Sequence, residues 1–180
     1  MASIEPSSRY APSVRWMHWT IFALVLLAYV CINLFEQFPK GSATRGNMLA
    51  AHYTVGLAAL LLLLPRLLLR LRNGRPPIAP PPRRWTELLG NITHVALYLF
   101  LLIQPILGIT TLQIGGKPVT LFGMTLLPSF NDVPNRALSH QFEDIHGTLG
   151  TIFYYVIGLH ILAAFWHHFG RRDNTLKRML

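Results

Sequence analysis

The stretch from Asp144 to Phe169, DIHGTLGTIFYYVIGLHILAAFWHHF, constrains this chain more than any other. With histidine neutral, it carries no charge after Asp144 until Arg171. About 20 apolar residues suffice for one helix to cross a bilayer, and in hydrocarbon a helix is one of the few ways to satisfy every backbone N–H and C=O internally. His146 and His160 stand fourteen residues apart within it. Fourteen residues make close to four helical turns, so both imidazoles share a face, about 21 Å apart along the axis. A hydrocarbon core is about 30 Å thick. One histidine therefore lies towards each of its edges.

Three further runs have the same character. Helices are expected over about 16–35, 47–71, 88–112 and 144–169, giving an all-α, integral membrane four-helix up-and-down bundle. The 180 residues are 52% hydrophobic and leave no long segment for a soluble domain, so residues 1–180 are expected to form a single membrane domain. Trp16 and Trp19 suit a membrane interface. Pro65 and the Pro105/Gly108 pair permit bends in the second and third helices. The connection NGRPPIAPPPRRW reads as extended and surface-lying. The connection from Gln113 to Glu143 is the longest; its apolar patch LFGMTLLPSF is too short to span and is expected on the membrane surface. No short apolar run with a small-residue cleavage site follows the N-terminus, so the first helix is expected to be retained.

A formal charge of +9 raises the question of nucleic acid, but its placement answers it. Twelve of the sixteen Lys and Arg lie before the first run, between the second and third, or after the fourth. Only Lys40, Arg45, Lys117 and Arg136 fall in the other two connections. This is the positive-inside pattern, with both termini cytoplasmic. One cysteine, Cys31, excludes an internal disulfide and a cysteine-held cluster, and the absence of C-x-x-C-H excludes covalent haem attachment. Cys31 reads as a packed helix residue.

Histidines inside membrane helices point to function. His18 opens the first helix on the inner side and His160 nears the inner end of the fourth. His52 and His146 open the second and fourth helices on the outer side. The depths pair His18 with His160 and His52 with His146, each pair joining two helices, as trans ligation of a porphyrin requires. Two bis-histidine haem b groups follow, low-spin and without an open position, suited to electron transfer. Zinc would want three or four ligands in one cluster. Gly56 and Gly150 each follow a histidine by four residues and would let a porphyrin approach; ordinary glycine-mediated helix packing is the competing explanation. Arg66, fourteen residues after His52, shares its face at the inner depth, where it can pair with a haem propionate or a quinone oxygen, or simply set topology. His167, two turns beyond His160, can hydrogen-bond a quinone carbonyl and relay a proton near neutral pH; His94 is a lesser candidate for the same role. His140 and His168 are assigned no role.

The pieces WMHW around His18, NMLAAHYTVG around His52, PRLLLRLRNGRPPIAP, and IHGTLGTIFYYVIGLHILAAFWHH followed by DNTLKRM resemble the bacterial cytochrome b561 family in the right order over nearly the whole chain. That resemblance implies a di-haem b cytochrome of the bacterial inner membrane, with His18, His52, His146 and His160 as ligands. It also implies electron exchange with ubiquinone, and the family includes superoxide oxidases, which pass electrons from periplasmic superoxide to quinone. A superoxide:ubiquinone oxidoreductase is the first expectation. The alternative is a cytochrome b subunit passing electrons between a docked hydrogenase or dehydrogenase and the quinone pool. On the outer side, Lys40, Arg45, Lys117 and Arg136 are balanced by Glu36, Asp132, Glu143 and Asp144, so bulk steering of an anion is not expected. A haem-free transporter would require both histidine pairs to be accidental.

Overall fold

The computed structural model describes residues 9–121 and 124–180. Four helices, α1 (Pro12–Phe35), α2 (Ala43–Asn73), α3 (Arg84–Ile114) and α4 (Arg136–Phe165), are each long and apolar enough to cross a membrane. α1 packs mainly on α2 and α3 on α4, and a smaller α2–α3 contact joins the two hairpins. One end of the bundle, the basic end, gathers the starts of α1 and α3 and the ends of α2 and α4. The other carries a short antiparallel hairpin, β1 (Val119–Leu121) with β2 (Met124–Leu127). The surface between the ends is studded with exposed leucines such as Leu61, Leu64, Leu68, Leu159 and Leu162. Facing lipid, these residues need no protein partner.

All four helices start earlier than the apolar runs that announced them. Hydropathy marks the part of a helix that lipid covers, whereas the helix itself begins at its cap. α2 starts after Ser42, whose hydroxyl accepts from the Arg45 N–H at 3.2 Å, and α4 after Asn135, whose side chain accepts from the Leu138 N–H at 3.0 Å. Each cap satisfies one of the orphan donors of a first turn. α1 starts on Pro12, where a missing N–H costs nothing. With 31 residues each, α2 and α3 reach about 46 Å, roughly 8 Å beyond the hydrocarbon at either end. Pro65 and Pro105 lie inside uninterrupted helix. Past Phe165, α4 widens into one π-helical turn, Trp166–Gly170.

The longest connection is shorter and more ordered than its sequence suggested. α3 runs on to Ile114 and α4 begins at Arg136, so what remains between them is mostly the β1–β2 hairpin and its return. The apolar patch expected to lie flat on the membrane contributes its Leu121 to β1 and its Met124–Leu127 to β2, while Phe122 and Gly123 lie outside the described residues. Val119 faces inward and is buried, whereas Met124 is 65% exposed. Gln113 fastens the return, its side-chain carbonyl accepting from the Phe130 N–H at 3.1 Å.

Gly116 turns the chain out of α3 at φ +70, and a Cβ there would sit 2.6 Å from Pro134 Cγ. Gly116→Ala therefore meets both backbone strain and a stiff ring, at a cost of about 1–3 kcal/mol. Cys31 is buried and unpaired, so its reaction with a thiol dye on heating reports unfolding. The unfolding midpoint of Gly116→Ala is expected to drop by a few degrees; an unchanged midpoint would show that Pro134 yields without cost.

Candidate functional site

Two pairs of imidazoles face each other inside the bundle, one towards each end. At the hairpin end, His52 of α2 and His146 of α4 have ring centroids 6.0 Å apart and planes at 87°. The His52 Nδ1 lies 2.9 Å from the Ala28 carbonyl and the His146 Nδ1 3.0 Å from the Gln104 carbonyl. A carbonyl only accepts, so both Nδ1 atoms carry protons and both Nε2 lone pairs are left for something else. The Gln104 side chain adds a second tie, donating to the His146 carbonyl at 3.0 Å.

Both rings line a cavity of about 350 Å³, as do Gly56, Gly150, Tyr29 and Tyr154. A Cβ at Gly56 would meet nothing within 4 Å, and one at Gly150 would come within 3.1 Å of Gln104 Nε2. Gly56 thus fronts open space, while Gly150 makes room for the glutamine that anchors His146. The volume falls within the range of about 300–1,000 Å³ usual for ligand and cofactor sites.

At the basic end, His18 of α1 and His160 of α4 have centroids 6.5 Å apart and planes at 85°. His94 of α3 stands nearer to His160 than His18 does, at 5.8 Å. The continuous α4 separates this level from the other by the fourteen residues between His146 and His160. A metal–imidazole bond is about 2.0–2.1 Å, and a ring nitrogen lies about 1.1 Å from its centroid. Two trans imidazoles on one metal therefore put their centroids about 6.3 Å apart. Both pairs match, which is the fit a bis-histidine haem needs.

The surroundings of the basic-end pair fit carboxylates. Arg66 lies within interaction range of both His18 and His160 and stacks its guanidinium 5.7 Å from the Tyr98 ring. Arg66 Nε and Nη1, Arg70 Nη2 and His94 Nδ1 are buried without hydrogen-bond partners among the described residues. Buried unpaired donors cost about 1–3 kcal/mol each, and haem propionates are groups that would satisfy them.

A second cavity, about 320 Å³, opens at the basic end between the proline-rich connection, the start of α3 and the chain's last residues. Its lining includes His94, His167, Arg70, Arg75 and Arg178. Arg66 does not line it, so the two residues singled out for a quinone do not share one cavity. His167 sits on the π turn, its Nδ1 2.6 Å from Asp173 Oδ2. The Asp173 side chain is fully buried, with Arg171 Nε 3.4 Å away and the Thr175 N–H donating to Oδ1 at 2.9 Å. Burial works against the charge on Asp173, but the hydrogen bonds from His167 and Thr175 outweigh it and hold the carboxyl below its usual range. Burial lowers Arg178. His140 pairs with Glu143 at 3.2 Å on the exposed surface, and His168 packs on Phe169.

Asp173 and Gln104 escaped the reading of the sequence. For Asp173 a signal existed: it is the one carboxylate after Asp144, in an otherwise basic tail. Gln104 acts largely through its backbone carbonyl, which no side-chain pattern announces.

The family model for prokaryotic cytochrome b561 matches residues 9–180. Cytochrome b561 homolog 1 of Escherichia coli K12 is 33% identical over 173 residues, covering 96% of this chain and 97% of that protein. The probable superoxide oxidase CybB of Yersinia pestis is 35% identical over 164 residues, 91% of each. Cytochrome b561 homolog 2 of E. coli K12 is 30% identical across the whole chain and 95% of its own length. Four membrane-spanning helices with this likeness from end to end make the chain a member of the prokaryotic cytochrome b561 family, multi-pass plasma-membrane proteins that transfer electrons through b-type haem.

Proposed function

We propose that this chain carries electrons across the membrane through two bis-histidine haems, one held by His52 and His146 and one by His18 and His160, and delivers them to ubiquinone. The observation that carries the reading is the spacing of the two imidazole pairs, 6.0 and 6.5 Å, at opposite ends of one bundle. When bound, each haem supplies a one-electron centre with no open coordination position. The chain's own part is to aim Nε2 of His52 and His146 by tying down Nδ1, to offer Arg66 to a propionate, and to keep water from both levels.

The basic end faces the cytoplasm, on the strength of the twelve-to-four division of Lys and Arg. Ubiquinone reacts there, in the cavity lined by His167 and His94. At the periplasmic end the donor is superoxide: two superoxide ions yield two O₂, and their two electrons with two cytoplasmic protons convert quinone to quinol. Support for this donor is the likeness to the probable superoxide oxidase of Y. pestis. A second reading, a cytochrome b subunit fed by a docked hydrogenase or dehydrogenase, is favoured by one observation. The charges at the hairpin end cancel, and the charged residue lining the cavity there is Glu36, which repels an anion. Purified chain reduced by a superoxide generator, and reoxidised by added quinone, supports the first donor. Turnover seen only with a co-purifying protein supports the second.

Alanine at His52 or His146 is expected to remove one b-type spectral component, and alanine at His18 or His160 the other. His94→Ala should keep both; if it removes the component lost in His160→Ala while His18→Ala keeps that component, His94 is the partner of His160. A cysteine replacing Lys117 should react with an impermeant thiol reagent from the periplasm, and labelling from the cytoplasm alone would invert the topology. Haem reoxidation by a soluble quinone should slow at least about tenfold in His167→Ala with both spectra kept. An unchanged rate would move the quinone to the hairpin end.

A further inference from the structure

The structure assigns Asp173 as the positioning residue that sets the protonation pattern of His167, so that the imidazole gives a proton to quinone from Nε2; this rests on the reading that quinone reacts in the His167 cavity. Four contacts define the arrangement. His167 Nδ1 meets Asp173 Oδ2 at 2.6 Å, Asp173 Oδ1 accepts from the Thr175 N–H at 2.9 Å, Arg171 Nε approaches Oδ2 at 3.4 Å, and the Asp173 N–H donates to the His167 carbonyl at 3.0 Å. The carboxylate is sealed from solvent while His167 keeps 18% of its side chain accessible and lines the cavity. One ring nitrogen is therefore committed and the other is free to work.

The chemistry follows from which nitrogen carries hydrogen. A carboxylate accepts only, so Nδ1 must hold a proton. The neutral ring then presents a bare Nε2, and it becomes a donor to a quinone oxygen only as imidazolium. The Asp173 carboxylate accepts from Nδ1–H in either state of the ring, at 2.6 Å. As quinone takes up two electrons and two protons to become quinol, each proton passing through this route leaves Nε2 for a quinone oxygen, and Nε2 is refilled from cytoplasmic water. Nδ1–H stays on Asp173 throughout. This is the division of labour by which a buried carboxylate orients a catalytic histidine elsewhere.

Asp173→Asn separates positioning from packing because it is nearly isosteric. The Thr175 N–H is fixed backbone and needs an acceptor, whereas Arg171 can swing away, so the amide oxygen stays at Thr175 and the NH₂ faces His167. Nδ1 must then accept, and the neutral ring carries its proton on Nε2. Such a ring still hydrogen-bonds a quinone carbonyl but cannot release that proton without becoming an anion.

The test uses the haem-loaded full chain in detergent with a soluble quinone. Asp173→Asn is expected to lower kcat for quinone about a hundredfold, within the usual range for lost acid catalysis, with KM within about twofold of wild type. Nitrogen-15 shifts of labelled histidine should move the His167 proton from Nδ1 to Nε2. In a His167→Ala background the same substitution should cost nothing further. Asn174→Ala, which loosens the tail from Ala79 and Pro77 but spares the His167–Asp173 bond, should keep kcat. Normal kcat in Asp173→Asn beside a slow His167→Ala would overturn this assignment alone, whereas normal kinetics in His167→Ala would overturn the quinone site with it. Haem bands lost in both Asp173→Asn and Asn174→Ala would make the carboxylate a fastener of the tail and overturn the assignment.

Discussion

A polar atom inside hydrocarbon has no water to turn to, and this one constraint accounts for most of the contacts between these helices. The Tyr29 hydroxyl of α1 donates to the Gly150 carbonyl of α4 at 2.8 Å, and Asn33 reaches both the Tyr29 carbonyl and the Tyr154 hydroxyl. His52 finds the Ala28 carbonyl on α1 and His146 the Gln104 carbonyl on α3. These polar side chains are thus spent on joining helices, while Thr93, Thr110, Thr111 and Thr151 bond back to carbonyls four residues earlier on their own helices. Gln104 Oε1 near His146 is one buried atom left unpaired among the described residues, and around His18 and His160 the buried guanidinium atoms of Arg66 and Arg70 stand unpaired beside His94. Unsatisfied donors of this kind mark where an acidic group belongs, and a haem's propionates are its only strong anions.

The basic end is held by different means, because water is near and the helices there have run out of apolar surface. The last eight residues fold across it. The Tyr10 N–H donates to the Arg178 carbonyl at 3.0 Å, Trp19 Nε1 to the Met179 carbonyl at 2.9 Å, and Asn174 exchanges two hydrogen bonds with Ala79. Arg178, only 8% exposed, reaches the Pro76 carbonyl and lies 5.5 Å from the Tyr10 ring. Proline-rich backbone offers carbonyls but few N–H groups, so the tail supplies donors the connection lacks. Arginine suits this work, since its planar fork can serve a carbonyl and an aromatic face together. The cavity beside His167 is therefore walled by segments far apart in sequence and closed by the tail.

How much of this could be read from the chain itself depended on whether the signal was periodic. The four spans and the levels of His18, His52, His146 and His160 follow from hydropathy and the rise of a helix; the structure sets His52 beside His146, and His160 beside both His18 and His94. The helix starts at Ala43 and Arg136 were missed because hydropathy fades before the caps at Ser42 and Asn135. The β1–β2 hairpin was missed because seven strand residues in two short pieces carry too little alternation to stand out from loop. The nearness of His94 to His160 could not be seen at all, since it depends on how α3 is rotated against α4. Arg66 and His167 were read on straight-helix spacing, which holds for Arg66 but not for a residue on a π turn.

That π turn explains why the end of α4 differs from its middle. A π turn spends an extra residue, and the Arg171 N–H accordingly returns to the Trp166 carbonyl, five residues back. The widening frees the His167 carbonyl to receive the Asp173 N–H instead of continuing the helical ladder. Asp173 is thereby folded back beneath the ring of His167, with Arg172 taking the left-handed conformation at φ 56 that makes the reversal possible. A regular α-helix through Gly170 would have carried residue 173 about 1.7 turns, roughly 9 Å, past His167. The local break in periodicity, the buried carboxylate and the imidazole facing the cavity are consequences of one backbone event, and that event falls where a membrane helix first meets water.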